Sequence, residues 1–109
     1  ILAQIAGGNK NQSLVLINSL LENSTPKMKS YLFYRRSFLQ ATEAACLSDL
    51  RSSLISNPRN SDALFRLYEI YYGKDDYKKA QYYLKQVVAL NPNDSTFRKL
   101  NESLTKLLQ

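Results

Sequence analysis

The chain has 109 residues, with 15 lysines and arginines against 9 aspartates and glutamates, which gives a net charge of +6 at pH 7. Hydrophobic residues make up 44% of the chain, and glycine and proline contribute only three residues each, so the composition excludes a disordered chain and disfavours a β-rich fold. Histidine is absent, which removes both the usual general base near neutral pH and the commonest metal ligand. We therefore expect a helical domain with no enzymatic activity, no cofactor and no metal.

The first segment, residues 1–26, reads as an incomplete helical hairpin. It begins with Ile1 rather than methionine and enters partway through a helical pattern, so we expect the chain to be a piece of a longer protein. Leu16 and Leu20 lie one helical turn apart and predict a second helix in this segment. No apolar run approaches the ~20 residues needed to cross a bilayer, so we expect no membrane span.

The middle segment, residues 27–60, predicts two helices separated near Thr42, a residue type that caps helix N-termini. Asn57-Pro58 ends the second helix, because the residue before a proline is pushed toward an extended conformation. Cys46 lies on the apolar stripe of that helix and, with no histidine to activate it, is interpreted as a buried packing thiol rather than a nucleophile.

The third segment, residues 61–94, has the clearest pattern. Apolar side chains recur at helical spacing before and after a polar break at residues 73–76. Gly73 is expected to adopt the left-handed conformation that ends a helix, and Asp75 or Asp76 to cap the next one. Asn91-Pro92 closes the segment, and residues 95–109 then predict an amphipathic helix that covers the end of the array.

The two Asn-Pro pairs stand thirty-four positions apart, and this interval is a repeat period. When the segments are aligned on it, Leu50 matches Leu84, and Cys46 matches Ala80. The predicted organisation is one domain with a partial first repeat at 1–26, full repeats at 27–60 and 61–94, and a capping helix at 95–109. Repeated helical hairpins stack and present a continuous surface, which is typical of binding scaffolds.

The third segment resembles a tetratricopeptide (TPR) repeat. Six of its residues match the large, small and terminating positions of that family: Leu64, Leu67, Tyr71, Tyr77, Ala80 and Pro92. The resemblance implies an all-α fold in which antiparallel helical hairpins stack in a right-handed superhelix. It also implies a concave groove, lined by the first helix of each repeat, in which peptides bind.

The TPR resemblance places one aromatic and charged group of side chains in that groove. These favoured peptide contacts are Tyr31, Arg35, Phe65, Arg66, Glu69 and Tyr72. Three further apolar side chains of the middle segment fit either the groove or the core between helices, and both interpretations stay open: Leu32, Phe38 and Leu39. Exposed aromatic residues edged by arginines form a suitable surface for a peptide with apolar anchors.

A narrower resemblance concerns the partner. Residues 31–36 and 45–50 are similar to the TPR portion of J-domain co-chaperones of the ER lumen, which implies that the groove holds unfolded polypeptide. The clamp that other TPR proteins use for chaperone C-termini is not expected, because only Arg66 matches its basic positions and Asp62 would repel a carboxylate. A structural scaffold that packs against another protein or against itself is the alternative. Localisation is left open between the ER lumen and the cytoplasm.

The positive charge admits one further interpretation. Four lysines cluster on the second helix of the third segment and on the turn before it: Lys74, Lys78, Lys79 and Lys85. A solvated outer face explains them, and attraction to an acidic partner surface is favoured over nucleic-acid binding. Nucleic-acid binding is disfavoured because no alternation of aromatic and basic residues of the base-stacking kind is present.

Overall fold

The computed structural model describes residues 10–109, and the predicted helix at residues 1–6 lies outside this range. Six α-helices, and no β-strands, occur in the described part of the chain. Their bounds are α1 Lys10–Leu21, α2 Pro26–Ser37, α3 Glu43–Ser56, α4 Ser61–Gly73, α5 Tyr77–Leu90 and α6 Ser95–Leu107. The prediction of an all-α fold is therefore confirmed. None of these helices is long and apolar enough to span a membrane.

Side-chain caps set the beginnings of four helices. Thr25 and Thr42 accept hydrogen bonds from the backbone N–H groups of Met28 and Ala45, at 3.3 and 3.2 Å, and so cap α2 and α3. Asp76 caps α5 and Asp94 caps α6 in the same way. Each cap satisfies a backbone donor that has no partner within its own helix, so local sequence alone determines where these helices begin.

The turn between α4 and α5 differs from its prediction in one respect. Gly73 is the last residue of α4 and does not have a positive φ; the left-handed residue is Asp75, with a φ of 61°. The Asp76 N–H donates to the Tyr71 carbonyl at 2.9 Å, and the Asp75 N–H donates to the Tyr72 carbonyl at 3.1 Å. This pair of bonds is the Schellman motif, which needs one left-handed residue after the helix, and aspartate tolerates that conformation better than most residues.

The chain forms two compact units, one ending at Asn60 and the other running from Ser61 to Gln109. In the first unit α3 packs against α2, and α1 also packs against α2. Ile17 of α1 and Leu32 of α2 are fully buried there, with half-buried apolar side chains around them. In the second unit α4 and α6 both pack against α5. The described helices thus form antiparallel hairpins with short turns.

Residues of α3 and α5 that the thirty-four-residue alignment matches are buried to a similar extent. Cys46 and Ala80 are both buried, as are Leu50 and Leu84. The next aligned pair, Ser53 and Val87, is buried too, although one member is polar. The repeat period read from the sequence therefore corresponds to a repeated pattern of burial, and the serine is an exception that needs hydrogen-bond partners.

Candidate functional site

Five aromatic rings of the second unit form a continuous series, which we call the aromatic row. Phe97 of α6 lies 5.3 Å from Phe65 of α4, measured between ring centroids, and Phe65 lies 5.2 Å from Tyr68. Tyr68 then lies 5.8 Å from Tyr72, which lies 5.4 Å from Tyr77 at the start of α5. These are the distances of favourable tilted aromatic pairs, so the rings hold one another in place.

The row is buried at Tyr68, its middle ring, and accessible at the next ring, Tyr72. Tyr68 is buried, Phe65 is half-buried and Tyr72 is 42% exposed. Burial raises the pKa of Tyr68, and the neighbouring Tyr72 and Glu69 raise it further. Phe65, Tyr68 and Tyr72 recur at helical spacing and so share one face of α4. An apolar partner that reaches Tyr72 would therefore contact a ring that is already ordered.

Four of the six predicted contact residues belong to this same helix. Phe65 and Tyr72 are members of the aromatic row, and Glu69 is exposed between them in sequence. Arg66 is half-buried and belongs to the same two turns of α4. The structure thus places an aromatic pair, a carboxylate and a guanidinium within a short stretch of one helix.

The other two predicted contact residues, Tyr31 and Arg35, are in the first unit. Tyr31 is half-buried and packs against the Ile17 and Leu32 core. The Arg35 guanidinium lies 6.0 Å from the ring centroid of the exposed Phe38, a cation–π arrangement. Tyr31 therefore has a packing role whatever it binds, whereas Arg35 stands beside an accessible aromatic ring.

The structure also decides the alternatives left open for the apolar residues of the middle segment. Leu32 is fully buried and belongs to the core of the first unit. Leu39 is half-buried and packs against the same cluster. Phe38, in contrast, is exposed at the end of α2, with its ring 5.1 Å from that of Tyr34 in an edge-to-face arrangement. Only Phe38 of the three is accessible to a partner.

A buried ion pair in the first unit was missed by the sequence analysis. The Asp49 carboxylate is 3% exposed, and the Arg36 Nη2 atom donates to it at 2.7 Å while Nε donates to both of its oxygens at 3.1 Å. Gln40 donates to the same carboxylate at 2.7 Å, and Arg36 also donates to Asn18 Oδ1 at 2.8 Å. Both oxygens of the Asp49 carboxylate therefore have hydrogen-bond partners. The network links α1, α2 and the α2–α3 turn to α3, which is a structural role. An acidic residue on the otherwise apolar stripe of α3 was the available signal.

A second buried polar group joins α2 to α3. The Ser30 hydroxyl donates to the Ser53 carbonyl at 2.7 Å, and the Ser53 hydroxyl donates to the Ser30 carbonyl at 2.6 Å. The Asn60 amide donates to both hydroxyls, at 2.9 and 3.2 Å. Both serines are fully buried, so this reciprocal arrangement satisfies them and explains how a polar residue occupies the Val87-equivalent position.

Residues 10–109 contain no group of three or more side chains of the kinds that could hold a metal ion. The buried carboxylate of Asp49 is occupied by its ion pair. What the second unit offers instead is an ordered aromatic surface with charged neighbours.

Comparison with protein-family models and with curated protein sequences gave no match.

Proposed function

We propose that the chain is a non-catalytic protein-binding module of the TPR type, which holds apolar, extended polypeptide as part of a co-chaperone. The observation that carries this proposal is the aromatic row, because it includes an accessible Tyr72 whose ring contacts those of Tyr68 and Tyr77 on either side. A preordered aromatic surface loses little side-chain entropy when it binds, which makes it an efficient contact for an apolar side chain.

The charged neighbours of the row suggest how a polypeptide would be oriented. An apolar side chain of the ligand packs against Tyr72 and the accessible edge of Phe65. The Arg66 guanidinium can donate to backbone carbonyls of the ligand, and the exposed Glu69 carboxylate can accept from its N–H groups. These groups recognise backbone rather than a particular side chain, which fits a module that accepts many unfolded sequences.

The first unit carries the other two proposed contact residues, Arg35 and Tyr31. The Arg35 guanidinium and the exposed Phe38 ring offer a second pairing of cation and aromatic surface. Tyr31 is half-buried against the core around Leu32, and the exposed part of its ring adds to this surface.

The test measures capture of a polypeptide that is kept unfolded by reduction and carboxymethylation of its cysteines. Tyr72→Ser removes the accessible ring of the row, and we expect it to weaken capture about tenfold, equivalent to about 1.4 kcal/mol. Ile55→Ser is the matched control, since Ile55 is 82% exposed but belongs to α3 of the first unit and is not a member of the row. Both variants should keep the far-UV circular dichroism of the wild type.

Two outcomes would contradict the proposal. Equal capture by the wild type and Tyr72→Ser would show that the row is not the site. A steep loss of affinity between 50 and 200 mM salt would point to attraction between the basic residues of the chain and the carboxylates of the probe instead of apolar burial.

A structural scaffold that associates with itself or with another subunit is the second candidate function. It is favoured by an open apolar depression on α1, lined by Asn11, Gln12, Val15, Leu16 and Ser19. Val15 is strongly exposed at this depression. Light scattering of the purified chain separates the two candidates: a stable dimer that Val15→Ser dissociates favours the scaffold, whereas a monomer favours transient recognition of polypeptide.

A further inference from the structure

The outer face of α5 carries an exposed tyrosine between two lysines, and we call these three residues the basic strip: Lys78, Tyr82 and Lys85. Successive members are four and three positions apart, so they lie on one face of the helix. Tyr82 is 64% exposed, and both lysines are exposed. Lys78 and Lys85 are separated by about 10 Å along the helix axis, at 1.5 Å per residue.

Neither strip lysine is neutralised within residues 10–109. No carboxylate of the described chain lies within salt-bridge distance of Lys78 or Lys85. Lys79, on the flank of the strip, adds a third positive charge, with its Nζ atom 5.3 Å from the ring centroid of Tyr71. The strip is therefore a surface of uncompensated positive charge, which attracts an acidic partner.

The exposed Tyr82 ring at the centre of the strip packs against a second tyrosine ring, which stacks on a third. Tyr82 lies 5.1 Å from Tyr83 in an edge-to-face arrangement at 80°. Tyr83 stacks on the buried Tyr71 with a centroid distance of 5.8 Å and an interplanar angle of 7°. Tyr82 thus presents a largely accessible aromatic ring between the two lysines, and an apolar side chain can pack on its face.

We propose that the basic strip docks an acidic amphipathic helix of a partner protein, which presents two carboxylates seven positions apart with an apolar side chain between them. The spacing follows from the strip itself, because two helices lying along each other match charges at the same 1.5 Å rise per residue. The carboxylates meet Lys78 and Lys85, and the apolar side chain packs on the Tyr82 ring. This surface shares no residue with the aromatic row and does not depend on the proposed polypeptide binding.

Single-stranded nucleic acid fits the strip less well. Sites of that kind combine positive charge with several aromatic faces on which successive bases stack. Here Tyr71 and Tyr83 stack on each other, which leaves Tyr82 as the one ring of this cluster with a largely accessible face. Binding of RNA is accordingly an outcome that the experiment must be able to detect.

The experiment is an NMR titration of the ¹⁵N-labelled chain with two helical peptides of identical composition. The matched peptide carries glutamates seven positions apart with a leucine midway on the same face, and the scrambled peptide carries that leucine on the opposite face. We expect the matched peptide to shift the amide signals of α5 and to bind about tenfold more tightly than the scrambled one. Equal affinities would overturn the proposal, because they would leave only nonspecific attraction between charges.

Two charge-reversed variants provide the control for net charge. Lys78→Glu with Lys85→Glu removes the strip, whereas Arg98→Glu with Lys99→Glu makes the same change of charge at exposed positions of α6. We expect the first pair to weaken binding of the matched peptide at least about tenfold and the second pair to leave it within about twofold, a difference of roughly 1 kcal/mol. Similar losses in both would overturn the proposal.

The contribution of the ring is tested by Tyr82→Ser and Tyr82→Phe. We expect the serine variant to lose the preference for the matched peptide and the phenylalanine variant to keep it. Tighter binding of oligouridylate than of the matched peptide, lost on the same Lys78 and Lys85 reversal, would assign the strip to nucleic acid and overturn the proposal. Tyr72→Ser should leave the peptide titration unchanged, so failure of this proposal and failure of polypeptide capture are distinguishable.

Discussion

The reciprocal hydrogen bonds between Ser30 and Ser53 predict a measurable coupling between α2 and α3. Ser53→Ala removes the hydroxyl that donates to the Ser30 carbonyl and one of the two acceptors used by Asn60. A buried hydrogen bond contributes about 1 kcal/mol net, and an unsatisfied buried partner adds about 1–3 kcal/mol to the loss. We therefore expect Ser53→Ala and Ser30→Ala each to lower the free energy of unfolding of the first unit by about 2–4 kcal/mol.

The double variant distinguishes a shared network from two independent serines. Because each single substitution already breaks the same reciprocal arrangement, the cost in Ser30→Ala with Ser53→Ala should be smaller than the sum of the single costs by at least about 0.5 kcal/mol. The assay is urea unfolding followed by circular dichroism, with amide exchange in α2 and α3 as the local measurement. Thermal melting should show a decrease of about 4–8 °C for each 1 kcal/mol lost.

The matched control for this prediction is Ser48→Ala. Ser48 is exposed on the same helix as Ser53, so its substitution should change the unfolding free energy by less than about 0.5 kcal/mol. A Ser53→Ala variant as stable as Ser48→Ala would refute the reasoning. Strict additivity of the two buried substitutions would show that the serines do not act as one network.

Three further predictions concern packing, charge and ionisation. Ala80→Leu should cost about 1–3 kcal/mol in urea unfolding, because Ala80 is fully buried between helices, whereas the exposed Lys78→Leu should be nearly silent; equal effects would contradict the repeat alignment. Arg36→Met should cost about 3 kcal/mol, since it leaves the buried Asp49 carboxylate without its cation, and little loss by the same assay would mean that Gln40 suffices. The hydrogen bond that Tyr77 donates to Asp75, at 3.1 Å, raises the pKa of Tyr77. Ionisation of Tyr77 therefore opposes folding, and the free energy of unfolding falls as the pH rises through the alkaline range. Asp75→Asn should lower the pKa of Tyr77 in an NMR titration, and an unchanged pKa would refute this cause.

The residues of the predicted site differ in what determines their environment. Phe65, Glu69 and Tyr72 lie on one helix, so their spacing alone brings them onto adjacent turns. The aromatic row was not predicted as a whole, because Phe97 and Tyr77 reach it from other helices. Ring contact between helices cannot be obtained from periodicity.

What the sequence determined by itself is local. Thr42, Asp76 and Asp94 cap helices through bonds to N–H groups two or three residues ahead, and the thirty-four-residue interval placed Ala80 and Leu84 on a buried face. These features need no knowledge of the remaining chain, because their partners lie within one or two helical turns.

Tertiary structure decided the features whose partners are distant in sequence. Asp49 is buried because Arg36 reaches it from another helix thirteen positions away, and Ser53 is buried because Ser30 satisfies it across twenty-three. A polar residue on a helix is buried or exposed according to whether a partner offsets its desolvation, and that partner can be identified only after the helices have packed.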